Sequence, residues 1–248
     1  MQKKNNYYWM YSRHAIESAL LNPKRNILEI LVEDKLSEYY KNYFKFNNIN
    51  KNILFNTANK SRIIKKIGRL AKYQGVALLV EKLAYEKDFL LDSSFQNNNF
   101  ILIVDQLNDA LNFGALLRVS YAFNVKFIIT LDRSVPEENS YIASAASGAL
   151  DKINIYKVKN ITNSIKALKQ KNWWIIGLES KKLKKCINIK EHNNLFKKKA
   201  LIIGSENKGL RNLVRNNCDI LYRICPKNED LDSINVVQAA SIALYELT

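Results

Sequence analysis

The 248-residue chain is short of the residues that build metal sites and disulfide frameworks, with only His14 and His192 for imidazoles and Cys186, Cys218 and Cys225 for thiols. The cysteines are odd in number and none shows C-x-x-C spacing, so no metal is expected, and the thiols read as small apolar side chains in a reducing compartment. No G-x-G-x-x-G occurs, which removes the usual dinucleotide fingerprint. No apolar run approaches the length of a membrane span, so no membrane partner is expected. The opening MQKKNNYYWM has no apolar signal core, and a cytoplasmic location is expected. Acidic residues are scarce: 23 Asp and Glu face 39 Lys and Arg, a net charge of +16.

What is present is enough for a packed core, at 47% hydrophobic and 25% charged residues. The length fits one large domain or two small ones. The surplus charge implies an anionic partner. Its distribution is uneven, since residues 1–83 hold 16 Lys and Arg against 6 Asp and Glu, a surplus of ten, and the remainder holds six. With no basic segment paired to a long apolar face, RNA is favoured over a membrane surface.

The first third alternates helix and strand signals. A helix is expected over Arg13–Leu21 with Ser12 as cap, then strands near 27–32, 53–55 and 76–80, with helices over 35–46 and 58–67, the latter capped by Asn56 or Thr57. This makes residues 1–83 a small α/β domain. Arg62, Lys65, Lys66, Arg69 and Lys72 recur at three- and four-residue steps, one basic helical edge suited to RNA phosphates and equally to plain solvation. The polar, aperiodic stretch 84–99 reads as a linker.

From residue 100 a second alternation runs to the end of the sequence: strands near 100–105, 126–130, 153–156, 173–178, 200–204 and 220–223, separated by helical segments and closed by a helix over 236–247. The pattern predicts an α/β fold with a mainly parallel sheet and helices on both faces. Within it, Ala200–Ile203 runs straight into Gly204-Ser205-Glu206, a buried strand breaking into a tight turn where a ligand would sit. Gly204 and Gly209 have the spacing of a phosphate-cradling loop, yet Leu210 and Arg211 stand where the Lys-Ser/Thr pair is needed, so a nucleoside triphosphate site is not expected.

Three separated motifs carry a resemblance. Residues 105–118, DQLNDALNFGALLR, the segment Ala200–Leu210, and Ile224-Cys225-Pro226 followed by Ser233-Ile234-Asn235-Val236 stand in the order found in the SpoU/TrmH-type RNA ribose 2′-O-methyltransferases of the SPOUT superfamily, which they resemble. Tyr11–Glu17 with Tyr73-Gln74-Gly75-Val76 resembles the extra domain of the RlmB-like subgroup, which methylates a guanosine of large-subunit (23S) ribosomal RNA. The resemblance implies a carboxyl-terminal trefoil knot over 100–248, a ribosomal-protein L30e-like RNA-binding domain before it, S-adenosylmethionine as cofactor, ribosomal RNA as partner and a homodimer. It departs from the family where Asp109-Ala110-Leu111 replaces Asp-Pro-His and where Val237 replaces a serine.

Residue by residue, the resemblance places Ile203, Gly204, Ser205, Glu206, Ile224, Pro226, Ser233 and Asn235 around the cofactor. It makes Asn112, Arg118, Glu206, Ser233 and Asn235 the catalytic set and adds Arg13 to the basic edge as an RNA contact. Guanidinium stays protonated, so Arg118 is expected to stabilise an alkoxide rather than abstract its proton. Two other readings stand beside this one: a transfer-RNA guanosine 2′-O-methyltransferase, and an RNA-binding protein that has lost catalysis.

Overall fold

The computed structural model describes residues 6–49, 52–68, 73–180, 183, 186–191, 196–205, 209–228 and 234–248. The chain divides into two units, Met1–Ala84 with Glu137–Lys152 and Tyr85–Pro136 with Ile153–Thr248.

The first unit is built on a four-stranded mixed sheet. Strands β1 (Tyr7–Met10), β2 (Ile27–Glu33), β3 (Leu54–Ala58) and β4 (Val76–Glu81) lie in the order β1-β4-β2-β3. β4 runs antiparallel to both neighbours, and β3 runs parallel to β2. The aromatic strand β1 was not among the sequence expectations. Helices α1 (Arg13–Leu21), α2 (Ser37–Phe46) and α3 (Lys60–Ile67) accompany the sheet. In α3, Ile63 and Ile67 are four residues apart and share one face. That face packs with Leu31 and Ala77. Its cap is Asn59, whose side chain accepts from the Arg62 N–H, rather than Asn56 or Thr57. Ser12 precedes α1 but makes no side-chain cap bond.

The chain then enters the second unit. The stretch expected as a linker instead holds a 3-10 turn over Phe89–Leu91 and the short helix α4 (Ser93–Gln96). Apolar anchors explain the difference, because Phe89 and Phe95 are buried in the main core beside Phe127 and Trp173. Asp92 caps α4 and its other oxygen accepts from the Tyr156 hydroxyl. Burial alone would raise the Asp92 pKa, but hydrogen bonds from Ser94 and Tyr156 outweigh it and hold the carboxyl below its ordinary value. Strand β5 (Phe100–Val104), helix α5 (Ala110–Ala122) and strand β6 (Phe127–Leu131) follow.

Residues 137–152 belong with the first unit. They carry helix α6 (Ser140–Ala146) and a 3-10 turn over Ala149–Asp151. A buried charge cluster holds them there. Arg25 places Nη1 2.5 Å from Glu138 and Nε 2.8 Å from Asp151, and all three side chains are excluded from solvent. Tyr8 donates to the same Glu138 oxygen at 2.6 Å, and the Leu83 N–H donates to its partner oxygen.

The second unit resumes with β7 (Asn154–Val158), α7 (Ile161–Gln170), β8 (Trp174–Leu178), β9 (Cys186–Asn188), β10 (Lys199–Ile203), α8 (Asn212–Arg215), β11 (Ile220–Arg223) and α9 (Val236–Leu247). Its seven strands lie in the order β7-β6-β5-β10-β8-β11-β9, and every recorded pairing is parallel. This agrees with the expected α/β class. β10 is buried along its whole length, and its apolar run Ala200–Ile203 is what a central parallel strand requires. All the carboxyl ends therefore open on one edge of the sheet, where ligands of open α/β sheets bind.

Candidate functional site

At that edge the ends of β8 and β10, the loop after β11 and the start of α9 enclose a cleft. Its walls are Leu178, Glu179 and Ser180, then Ile203 to Ser205 with Gly209, then Arg223, Ile224 and Pro226, and finally Ile234, Val236 and Ala239. The cleft takes in about 600 Å³ of space not filled by protein, its open mouth included. Apolar side chains dominate the walls, with a few polar groups between them, the usual make-up of a small-molecule site.

The central loop closes on itself. The Ser205 N–H donates to the Gly209 carbonyl at 3.1 Å and the Gly209 N–H returns the bond at 2.9 Å. The backbones approach so closely that a Cβ on Gly204 would lie 2.3 Å from the Gly209 carbonyl carbon and oxygen. Gly209 has a φ of +64°, and a Cβ there would meet the Glu179 carboxylate at 2.5 Å. Both glycines are therefore required by the turn itself.

Two buried carboxylates hold the loop from behind. Asp105 follows β5 and Glu179 follows β8, the strands on either side of β10. Asp105 takes the Arg211 Nε at 2.9 and 3.0 Å and is also paired with its Nη2, while Glu179 takes the Arg215 Nε at 2.7 Å. The hydrogen bonds that Arg211 donates to Asp105, working against partial burial, raise the Arg211 pKa above its ordinary value. Arg211 immediately precedes α8 and Arg215 is its last residue, so the two pairs pin both ends of this short helix. On the third wall, Arg223 Nε donates to the Ser180 carbonyl at 3.1 Å.

Of the residues expected at a cofactor, Ile203, Gly204, Ser205, Ile224 and Pro226 line this one cleft. Asn235 stands between the lining residues Ile234 and Val236 and caps α9, its side chain accepting from the Val237 N–H at 2.9 Å. Glu206 and Ser233 lie outside the described residues. Asn112 and Arg118 are not in the lining. Asn112 lies in the first turn of α5, whose cap is Asp109, accepting from the Asn112 N–H at 2.7 Å. Arg118 is exposed on α5, with no ion pair among the described residues. Sequence reasoning missed Glu179 and Arg215, whose pairing spans 36 positions, and it took Arg211 only as the wrong residue for a phosphate loop.

Among the expected RNA contacts of the first unit, Arg62 and Lys65 are exposed without an ion pair among the described residues. Lys66 is partly committed, 2.6 Å from Glu29 and over the Trp9 ring. Arg13 pairs with Glu17 at 2.8 Å and donates to the Tyr39 hydroxyl. Arg69 and Lys72 lie outside the described residues.

A parallel sheet covered by helices, with a largely apolar cleft at the carboxyl ends of its strands, defines an α/β ligand-binding domain. Comparison with known proteins narrows this. The SpoU rRNA Methylase family model matches residues 99–245. The 23S rRNA (guanosine-2′-O-)-methyltransferase RlmB of Xylella fastidiosa is 31% identical over 251 residues, covering 99% of this chain and 97% of its own. A putative TrmH family tRNA/rRNA methyltransferase of Staphylococcus aureus is 29% identical over 95% of this chain and 93% of its own. Among solved structures, the SpoU methyltransferase AviRb of Streptomyces viridochromogenes in complex with AdoMet superposes with a TM-score of 0.76 at 17% identity, covering 97% of this chain and 89% of that one. The AdoMet-bound rRNA methyltransferase of Sinorhizobium meliloti does so with a TM-score of 0.75 at 19% identity, over 97% and 86%. The chain belongs to the SpoU rRNA methylase family, a family of RNA methyltransferases.

Proposed function

We propose that the protein transfers a methyl group from S-adenosylmethionine to the ribose 2′-hydroxyl of a guanosine in 23S ribosomal RNA. The observation that carries this is the cleft, in which three segments far apart in sequence, 203–205 with 209, 223–226 and 234–239, share one cavity in a member of this family. Near full-length similarity to the Xylella RlmB supports the ribosomal substrate.

The residues present suit such a cofactor. Ile203, Ile224, Pro226 and Val236 offer apolar walls for a flat base, Gly204 brings bare backbone close to it, and the Ser205 and Gly209 carbonyls, each accepting one bond within the turn, keep a second lone pair. Glu179 and Ser180 supply polar groups at the end of β8. When bound, S-adenosylmethionine supplies a methyl on a sulfonium, whose sulfur keeps the bonding electrons as the methyl departs. The protein's part is to hold the 2′-oxygen in line and to stabilise it as its proton leaves. Arg118, always protonated, stabilises the alkoxide and the neighbouring phosphate. Asn112, Glu206, Ser233 and Asn235 are the polar residues assigned to orient the ribose and the arginine.

Arg118 lies off its own chain's cleft, on α5. Helices α5 and α9 pack together, and Leu111, Tyr121, Ile242 and Tyr245 on them are exposed. This face supports a homodimer in which the arginine of one copy serves the cleft of the other. The position of β10 between β5 and β8, with α9 returned against α5, supports the carboxyl-terminal knot. The mixed sheet of residues 6–84, with Arg62 and Lys65 exposed on α3 and in no ion pair among the described residues, supports an L30e-like domain that holds RNA.

The test is the map of ribose methylation on 23S RNA from cells with and without the protein, joined to transfer of labelled methyl to purified ribosomal and transfer RNA. One 2′-O-methylguanosine that disappears with the protein is expected. Label on transfer RNA alone would move the substrate there, and no label with intact cofactor binding would leave an RNA-binding protein without catalysis.

A further inference from the structure

The opposite edge of the second unit's sheet carries features that the cleft does not use. There, at the amino ends of β8 and β10, Trp174 is 42% exposed and its ring stacks on Phe196 with centroids 4.0 Å apart and planes 24° from parallel. The Trp174 N–H is held by the Lys198 carbonyl at 2.9 Å, which fixes the pair to the sheet. Lys198 extends its amine over the neighbouring Trp173 ring at 5.8 Å. Lys126, Lys171 and Lys197 are exposed around them, and none is in an ion pair among the described residues. The two hollows at this edge are lined by lysines, aromatic and aliphatic residues and the neutral polar residues Asn97, Asn98, Asn99, Asn124, Gln96 and Thr248, with no Asp or Glu side chain.

We infer that this edge is a second RNA-binding surface, in which an unpaired base of the RNA stacks on the Trp174–Phe196 platform and Lys126, Lys171 and Lys197 hold the flanking phosphates. Exposed rings offer a π-face that any base can use, and interleaved lysines supply the charge complementarity that phosphates need. Five-residue strands rise about 3.3 Å per residue, so roughly 15 Å of sheet separates this surface from the cleft. A strand of RNA held here therefore anchors a substrate whose reacting nucleotide lies elsewhere. The inference rests on RNA as the partner class, and its test is independent of methyl transfer.

The test measures fluorescence anisotropy of labelled single-stranded oligoadenylate with the full chain across a salt series, for the wild type, Trp174→Ala, Trp174→Phe and the triple variant Lys126→Gln, Lys171→Gln, Lys197→Gln. Loss of one stacked base weakens binding by about 5- to 150-fold in Trp174→Ala, while Trp174→Phe keeps most of it. The triple variant flattens the log–log salt slope by about 2, at about 0.7 per single-strand phosphate contact. Affinity for S-adenosylhomocysteine and the melting temperature stay at wild-type values in the triple variant, which touches no core residue. Oligoadenylate affinity and salt slope unchanged in both Trp174→Ala and the triple variant would overturn the inference, as would a loss of self-association in place of a loss of RNA binding. A wild type that binds oligoadenylate through these residues yet methylates no RNA would instead remove the proposed activity and leave this surface standing.

Discussion

Replacing Gly204 by alanine tests whether the closed turn makes the cofactor site. The added methyl would stand 2.3 Å from the Gly209 carbonyl carbon and oxygen and 2.5 Å from the Leu210 nitrogen, all of them backbone atoms. Relief to ordinary contact needs a shift of about 1 Å, which a flexible side chain would absorb but a packed backbone resists. The shift cannot pass into α8, because Asp105 and Glu179 fix the arginines at its two ends. It must fall on the paired bonds between Ser205 and Gly209, now 3.1 and 2.9 Å long. Losing two such bonds costs about 1–3 kcal/mol. If the cofactor recognises only the closed turn, its affinity falls by about 5- to 150-fold. Calorimetric titration with S-adenosylhomocysteine reads this directly. Gly68→Ala is the control: Gly68 has a φ of +83° with nothing within 4 Å of a built Cβ, so it brings backbone strain in the first unit and no change in cofactor binding. A Gly204→Ala protein that binds the cofactor within about twofold of wild type would show that the turn is scaffolding and not part of the site.

Arg25→Met leaves the Glu138 and Asp151 carboxylates buried without their cation, and is expected to destabilise the first unit by about 3–5 kcal/mol in urea titration; a loss below about 1 kcal/mol would show that solvent reaches the cluster. Arg118→Ala should abolish methyl transfer at unchanged cofactor affinity, and full activity in that variant would remove the residue from the mechanism. Asp92 has a folded pKa below its unfolded value of 3.8, so its contribution is complete above that value and is lost as pH falls through the folded one. Tyr156→Phe should flatten the stability profile below about pH 4 relative to wild type, and identical acid profiles would discount the bond. Burial lifts the Cys218 thiol to about 12, so alkylation near pH 8 should label exposed Cys225 and spare Cys218; mass spectrometry showing equal labelling would mean that the segment carrying Cys218 opens.

The parts of the fold that were legible in the sequence are those set by local pattern. Ala200–Ile203 is apolar without interruption because β10 is covered on both faces, and Gly204 ends it because a neighbouring backbone passes too close for any side chain. Helix α9 follows from its own periodicity and from Asn235 as cap. What pattern did not show was carried by distant partners. Glu179 gives no local sign that Arg215 waits across the cleft wall. The sequence also offers no hint that Arg25 holds residues 137–152 to the first unit. β9 is three residues long at the sheet edge, too short to show alternation. The polar stretch 84–99 read as a linker because its asparagines outweigh Phe89 and Phe95, the two residues that bury it.

The charges sort into two populations with different physics. Arg25, Arg211 and Arg215 each meet a buried carboxylate, so they cancel locally and contribute little outside the protein. Arg62, Lys65, Arg118, Lys126, Lys171 and Lys197 are exposed and unpaired among the described residues, and the surplus of +16 is carried by groups of this kind. Salt acts on the two populations differently. At about 0.1 M the screening length is about 10 Å, which weakens an exposed lysine acting on a phosphate but barely reaches a buried pair in contact. Raising salt from about 0.05 to 0.2 M should therefore weaken RNA binding steeply, while the melting temperature and S-adenosylhomocysteine affinity hold. If cofactor affinity fell in parallel with RNA affinity, the Asp105 and Glu179 pairs would be solvent-screened, and the picture of a cleft fixed by buried charge would fail.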